Sequence, residues 1–271
     1  MKKRISSLLL GLAIFTFAAG VLSACSKKGD NVSSGDLKEK SSVVIGLDDT
    51  FVPMGFRDDK GEIVGFDVDL AKEVFKRIGL QVEFQPIDWS MKETELNSKN
   101  IDLIWNGYTI TDERKEKVAF TKPYLENRQV VITLANSNIS SKKDLAGKKV
   151  ATQNGSSSLD AINKEPEVAK SFSSGKPVLF DTNNDAFMDL EAGRTDAVVA
   201  DEILARYYIK ERGIDKYKVL QEDFGKEEYG IGTRKQDKEL LDKVNKALDD
   251  MKADGTCNKI SEKWFGKNIV K

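Results

Sequence analysis

Apolar positions recur in two rhythms along most of this chain, short unbroken runs alternating with stripes at helical spacing. Val43-Val44-Ile45-Gly46-Leu47 predicts a buried strand that ends at Asp48 and Asp49. Apolar residues at 66, 70, 71, 74, 75 and 78 predict one face of a helix, stopped by Gly79. Val82–Ile87 predicts a strand, Lys92–Asn97 a short helix, and Ile101–Trp105 a second strand. Thr111, followed by Asp112 and Glu113, opens a short charged helix. After Tyr124 the pattern starts again. Lys142–Leu145 predicts a helical turn before Gly147, and Lys149–Thr152 a strand. Leu159–Lys164 predicts a helix, Val178–Phe180 a strand, and Asp185–Ala192 a helix before Gly193. Asp196–Ala200 predicts a strand ending at Asp201, and Glu202–Arg212 an amphipathic helix. Lys238–Lys252 and Asn258–Trp264 predict two more helices.

A βαβαβ order therefore occurs twice and predicts two α/β lobes. Residues 100–106 and 194–201 echo each other, each a strand with polar residues at its C-terminal end, where ligands sit in such sheets. Tyr124–Arg128 and Gly225–Tyr229 are extended and read as crossings between lobes. The expected division is 42–124 plus 229–271 for lobe one and 128–225 for lobe two.

The first 24 residues follow a different rule. Lys2, Lys3 and Arg4 precede an apolar run to Val21 that is broken by Ser6, Ser7 and Thr16. It is short for a membrane span of about 20 residues and reads as a secretory leader, 1–24. Leu22-Ser23-Ala24-Cys25 resembles a bacterial lipobox. That resemblance implies cleavage before Cys25, lipidation of its thiol, and an extracytoplasmic protein tethered to the outer face of the cell membrane. Residues 25–41, polar and Gly/Ser-rich after the cysteine, are the expected tether.

Composition narrows the chemistry. The formal net charge of −1 falls to −4 without Lys2, Lys3 and Arg4, which gives no electrostatic case for nucleic acid. The chain has no histidine, which removes Ser-His-Asp and Cys-His catalysis and most zinc sites. With Cys25 taken by the anchor, Cys257 is left as a small apolar filler, with no disulfide framework. No metal or cofactor is expected.

Four segments then carry a family resemblance. They are Asp48–Phe56 with Gly65–Ala71, Asn106–Lys115, Phe120–Tyr124, and Lys263-Trp264-Phe265-Gly266. In this order, behind a lipobox, they resemble the polar amino-acid-binding lipoproteins of ABC importers, solute-binding family 3. The resemblance runs from about Val43 to Gly266. It implies a two-lobe Venus-flytrap fold of the periplasmic-binding-protein type II class, with two crossover hinge segments. The implied function is capture of an amino acid and delivery to an ABC permease, by a monomer that is no enzyme.

A zwitterion enclosed in a cleft needs a partner at each end. Arg114, which in its charged run reads first as a surface residue, is by resemblance the carboxylate clamp. Ser156 and Ser157 lie between a strand and the helix expected from Leu159; by resemblance they also hold the carboxylate, beside free N–H groups that suit an anion, and they serve equally as N-caps. Asp201 is the implied ammonium acceptor and also a natural cap for the helix at Glu202. The Thr109 hydroxyl and Gly107 carbonyl would join it, with the Tyr108 amide near the carboxylate. Phe51 and Trp89 match aromatic positions that sandwich the ligand side chain. Asp48 and Gln153 match its far end. An acid there, with no evident cation beside it, points to a neutral-polar or cationic amino acid or to cystine. Two alternatives stand beside this reading, a ligand-sensing or adhesive lipoprotein and a dehydratase-like enzyme on the same fold.

Overall fold

The computed structural model describes residues 40–271; the leader, Cys25 and all but the last two residues of the tether lie outside the described residues. The first sheet is built on β1 (Ser42–Leu47), which pairs in parallel with β5 (Gln81–Pro86) and β6 (Leu103–Ile104). It is completed by β7 (Ala119–Phe120) and β13 (Gly232–Thr233), in the order β5-β1-β6-β13-β7. The second sheet holds β9 (Val150–Gln153), β10 (Val178–Phe180) and β11 (Ala197–Asp201), with two long strands, β8 (Leu125–Leu134) and β12 (Tyr217–Tyr229). Its order is β10-β9-β11-β8-β12. The chain thus leaves the first sheet through β8 and returns to it after β12.

Helices cover both sheets. On the first lie α1 (Phe66–Ile78), α2 (Lys92–Asn97) and α3 (Asp112–Lys117), joined late in the chain by α8 (Lys238–Ala253) and α9 (Thr256–Phe265). The second carries α4 (Ser157–Asn163), α5 (Pro166–Ser171), α6 (Asn183–Glu191) and α7 (Glu202–Arg212). Helix α1 shows why the pattern works. Phe66, Leu70, Ala71, Val74 and Phe75 are buried on one face, Asp67 and Asp69 lie in the first turn, and Gly79 closes the helix in a left-handed conformation. Among the described residues no helix is long and apolar enough to cross a membrane.

Several elements depart from the expected pattern. The strand expected over 101–105 is only two residues long, and α4 begins at Ser157 rather than Leu159. A three-stranded meander fills the stretch after Asp48, with β2 (Thr50–Phe51), β3 (Gly55–Arg57) and β4 (Ile63–Val64). The runs read as crossings are the ends of β8 and β12 themselves, paired antiparallel from Arg128↔Lys226 to Leu125↔Tyr229.

One buried ion cluster ties the returning chain to the first sheet. Arg234 follows β13 and is 5 % exposed. Its guanidinium donates to Ile101 O at 2.6 Å, Leu96 O at 3.1 Å and Asp102 Oδ1 at 2.7 Å, and its Nε lies 2.6 Å from Asp237. Removing Arg234 would take the cation from Asp237 and leave Asp102 with Lys40 alone, 2.5 Å away. Arg234→Met is therefore expected to lose about 3 kcal/mol or more of unfolding free energy in a urea titration. A loss below about 1 kcal/mol would mean that the cluster does not anchor the return.

Candidate functional site

The site grows from strand ends and the loops behind them. Behind β6, Gly107 takes a positive φ of 57°, and a Cβ there would stand 2.7 Å from the Phe51 ring, so glycine is required on both counts. Its N–H donates to Asp67 Oδ2 at 2.7 Å, and the Tyr124 hydroxyl donates to both oxygens of the same carboxylate at 2.9 Å. Asp67, buried on the core face of α1, thereby fixes the turn that carries Tyr108 and Thr109. The Tyr108 ring stacks on Phe120 with centroids 4.9 Å apart, and its hydroxyl donates to Glu93 Oε1 at 2.8 Å.

Arg114 is the buried residue of an otherwise solvated helix, 4 % exposed. Thr111 caps α3 by accepting from the Arg114 N–H at 3.1 Å. The guanidinium lies over the Tyr108 ring at 4.8 Å. It donates to Thr109 O at 3.0 Å and, across to the second sheet's loop, to Gly155 O at 3.3 Å. Lys92, which the sequence pattern did not single out, reaches the same carbonyl at 2.9 Å. Burial, and then the charge of Arg114, pull its ammonium down to about 8. Gly155 has a positive φ of 66°, and a Cβ there would stand 2.9 Å from the Ser90 backbone, so the two loops touch closely.

The serines divide their work. Ser156 is occupied as the cap of α4, accepting from Leu159 N at 3.2 Å and donating to Gln153 O at 2.7 Å. Ser157 Oγ lies 3.0 Å from Thr109 Oγ1 and accepts from Gln129 Nε2 at 3.1 Å. Asp201 makes no side-chain cap on α7. Its Oδ1 instead accepts from Asn127 Nδ2 at 2.6 Å, Gln129 Nε2 at 3.0 Å and the Tyr229 hydroxyl at 2.5 Å. Burial, with the nearby Glu227 charge second, drives its carboxyl far above the usual range. Glu227 Oε1 accepts from the same two amides at 2.7 Å each and lies 2.9 Å from Thr109 Oγ1.

At the other end, Asp48 Oδ1 accepts from Thr50 N at 2.9 Å and Oγ1 at 2.7 Å. Asp48 Oδ2 accepts from Gln153 Nε2 at 2.7 Å, and Gln153 Oε1 accepts from Asn183 Nδ2 at 2.9 Å. Burial outweighs these bonds and raises the Asp48 carboxyl. Phe51 lies against Gly107, whereas Trp89 packs with Leu96, Ile101, Ile104, Tyr108 and Val118 in a core cluster. The structure thus brings Arg114, Thr109, Ser157 and Asp201 into one connected chain, and Asp48 with Gln153 into a second.

Asn127, Gln129, Glu227 and Lys92 were missed. Asn127 and Gln129 carried one usable signal, since buried and solvated positions alternate along 125–129 and both amides fall on the buried side. Glu227 and Lys92 sit in charged runs that give no such signal.

Two α/β lobes joined by paired crossings, with buried charges facing one another where the lobes meet, are the build of a hinged solute receptor of the periplasmic-binding type II class. The chain belongs to the bacterial extracellular solute-binding proteins, family 3, whose family model matches residues 43–267. It is 32 % identical over 265 residues to the L-cystine-binding protein TcyJ of Escherichia coli K12, covering 97 % of this chain and 96 % of that one. It is 35 % identical over 263 residues to the arginine-binding extracellular protein ArtP of Bacillus subtilis 168, covering 95 % and 96 %. A solved ABC uptake transporter substrate-binding protein of Streptococcus pneumoniae, with bound histidine, matches with a TM-score of 0.85 and 41 % identity, over 88 % of this chain and all of that one. Membership in a solute-binding family sets aside the dehydratase-like alternative.

Burial lifts the Asp67 carboxyl from 3.8 to about 7. The folded state then binds a proton that the unfolded chain has released, so this group's contribution to stability falls as pH rises from about 4 to about 7. Asp67→Asn, which keeps one oxygen for the Gly107 N–H, is expected to lose less stability than the wild type over that range. Parallel pH slopes of the two proteins in denaturant titrations would contradict it.

Proposed function

We propose that this protein captures a polar amino acid outside the cytoplasm and delivers it to an ABC permease. The observation that carries the reading is the unbroken path of polar contacts from a buried guanidinium, Arg114, through Thr109 and Ser157 to a buried carboxyl, Asp201. A zwitterion presents the complementary charges, so its carboxylate belongs at Arg114 and its ammonium at Asp201. Arg114 and Thr109 come from the first lobe, 42–124 with 229–271. Ser156, Ser157 and Asp201 come from the second, 128–225. An amino acid held by both favours the closed arrangement through contacts that neither lobe makes alone. The Gly107 carbonyl and Tyr108 amide join the grip, and Phe51 supplies an apolar wall, with Trp89 packed in the core cluster behind Tyr108.

Specificity follows from Asp48. It is buried, its hydrogen-bond donors are Thr50 and Gln153, and neither carries a charge. An acidic side chain would meet repulsion there, whereas neutral-polar and cationic ones would find an acceptor. The names of the relatives, binders of cystine and arginine, fit this class. The receptor is monomeric and lipid-anchored through Cys25, after removal of residues 1–24, with 25–41 as its tether. The family match, which begins at residue 43, fits a folded part that starts behind such a tether.

A thermal-shift panel of residues 26–271 with the twenty amino acids and cystine tests the ligand class. One or a few neutral-polar or cationic amino acids are expected to raise the melting temperature, by about 2.7 kcal/mol of stability at 100 times Kd. Arg114→Lys keeps the charge and loses the planar fork, and is expected to weaken binding by about 2 kcal/mol or more. A response to glutamate or aspartate alone would overturn the specificity reading, and no response at all would overturn amino-acid capture. For the anchor, Cys25→Ser in the full chain is expected to move the protein from the membrane fraction to the medium; membrane retention of the variant would count against it.

A further inference from the structure

Glu227 enters the site from an unexpected side. It lies on β12, the returning crossing, in register opposite Asn127. Its neighbours along the strand face elsewhere, Lys226 to solvent and Glu228 to Lys271. Its Oε1 accepts from Asn127 Nδ2 and Gln129 Nε2, the amides that also donate to Asp201 Oδ1. Two acceptors bound to the same nitrogens lie within roughly 5 Å of each other. The same Oε1 is 2.9 Å from Thr109 Oγ1 and 3.4 Å from Ser157 Oγ, the two hydroxyls placed above between carboxylate clamp and ammonium acceptor.

The surroundings of Asp201 decide its protonation. Tyr229 faces Asp201 from β12, with Tyr124 behind it. Asn127 and Gln129 face both carboxyls from β8, Ser157 from α4, and Thr109 from the loop after β6. All are neutral near pH 7. Glu202, next along the chain, is neutralised by Arg128 and Arg206. Arg114 reaches Thr109 O and Gly155 O and pairs with Asp160 at 3.7 Å. Asp201 is buried among neutral donors with the half-buried Glu227 beside it, and burial and then that neighbouring charge raise its carboxyl far above the usual range.

We propose that Glu227 is a second acceptor for the ligand's ammonium beside Asp201, and that the proton held by Asp201 leaves to solvent as the ammonium enters. This rests on the amino-acid reading above. The ammonium brings one positive charge and three donors, matching what the pair lacks. A crossing strand thus touches the ligand directly, and the grip on its charged end is built into the hinge. A zwitterion or an amine is favoured over any neutral solute of the same shape.

The test is titration calorimetry of residues 26–271 with L-arginine, L-glutamine and L-cystine at pH 6, 7 and 8, in buffers of different ionisation heat. Binding is expected to release close to one proton at pH 7. Kd is expected to fall with rising pH, by up to about tenfold per unit, because Asp201 holds its proton more tightly without the ligand than with it. Glu227→Gln is expected to weaken binding about tenfold or more and, by removing the charge that helps to raise Asp201, to reduce the proton release at pH 7. Glu228→Gln, on the opposite face, should match the wild type. Flat wild-type binding between pH 6 and 8, or a Glu227→Gln variant with unchanged or tighter Kd, would overturn the assignment and leave the amino-acid reading standing. No binding of any of the three by the wild type would overturn both.

Discussion

The antiparallel pairing of the two crossing strands is the constraint on which everything else rests. β8 and β12 run side by side where the chain leaves and re-enters the first lobe, with Leu125 opposite Tyr229 and Asn127 opposite Glu227. The ladder makes the two connections one ribbon rather than two independent linkers. It also fixes which side chains face the cleft, because a shift of one residue would turn Asn127, Gln129 and Glu227 away from Asp201. The paired crossings and the floor of the candidate site are therefore the same piece of structure. Tyr229, at the end of the ribbon, carries this order onward, since its hydroxyl holds Asp201 while its carbonyl accepts from the Tyr124 N–H.

Around that floor the site is organised by the cost of burying charge. Arg114, Lys92, Asp48, Asp67 and Asp201 are all nearly out of solvent. Each is compensated by hydrogen bonds aimed at it from backbone turns or amide side chains, rather than by a full set of ion pairs. Burial wins at Asp48, Asp67 and Asp201, whose carboxyls are all raised. Groups held in this way respond to an incoming charge far more strongly than solvated ones would. A small charged solute is the natural complement of such a surface.

Much of the framework was legible because local rules and tertiary packing agreed. Helix α1 could be read from its apolar stripe and Gly79, α3 from Thr111, and α7 from its amphipathic period. The strands behaved less simply. β12 is an edge strand, so its charged residues fall on both faces and no alternation survives to be read. The meander after Asp48 is built of two- and three-residue strands, too short to leave a period. Of the candidate residues named from motifs, Arg114, Thr109, Ser157 and Asp201 are joined by polar contacts, while Ser156 is spent as a cap and Trp89 sits in a core cluster. Glu227 could not be found that way. It meets Asn127 across 100 residues of sequence, through a register that only the folded sheets define.

The most direct measurement compares the affinity of the amino acid that stabilises the protein with its decarboxylated amine and its desamino acid, which remove one charged end at a time. If Arg114 and the carboxyl floor hold opposite ends of a zwitterion, both analogues bind weaker by about 2 kcal/mol or more, roughly thirtyfold. If either analogue binds as tightly as the parent, the charge it lacks is not held by this site, and the two-ended grip is wrong.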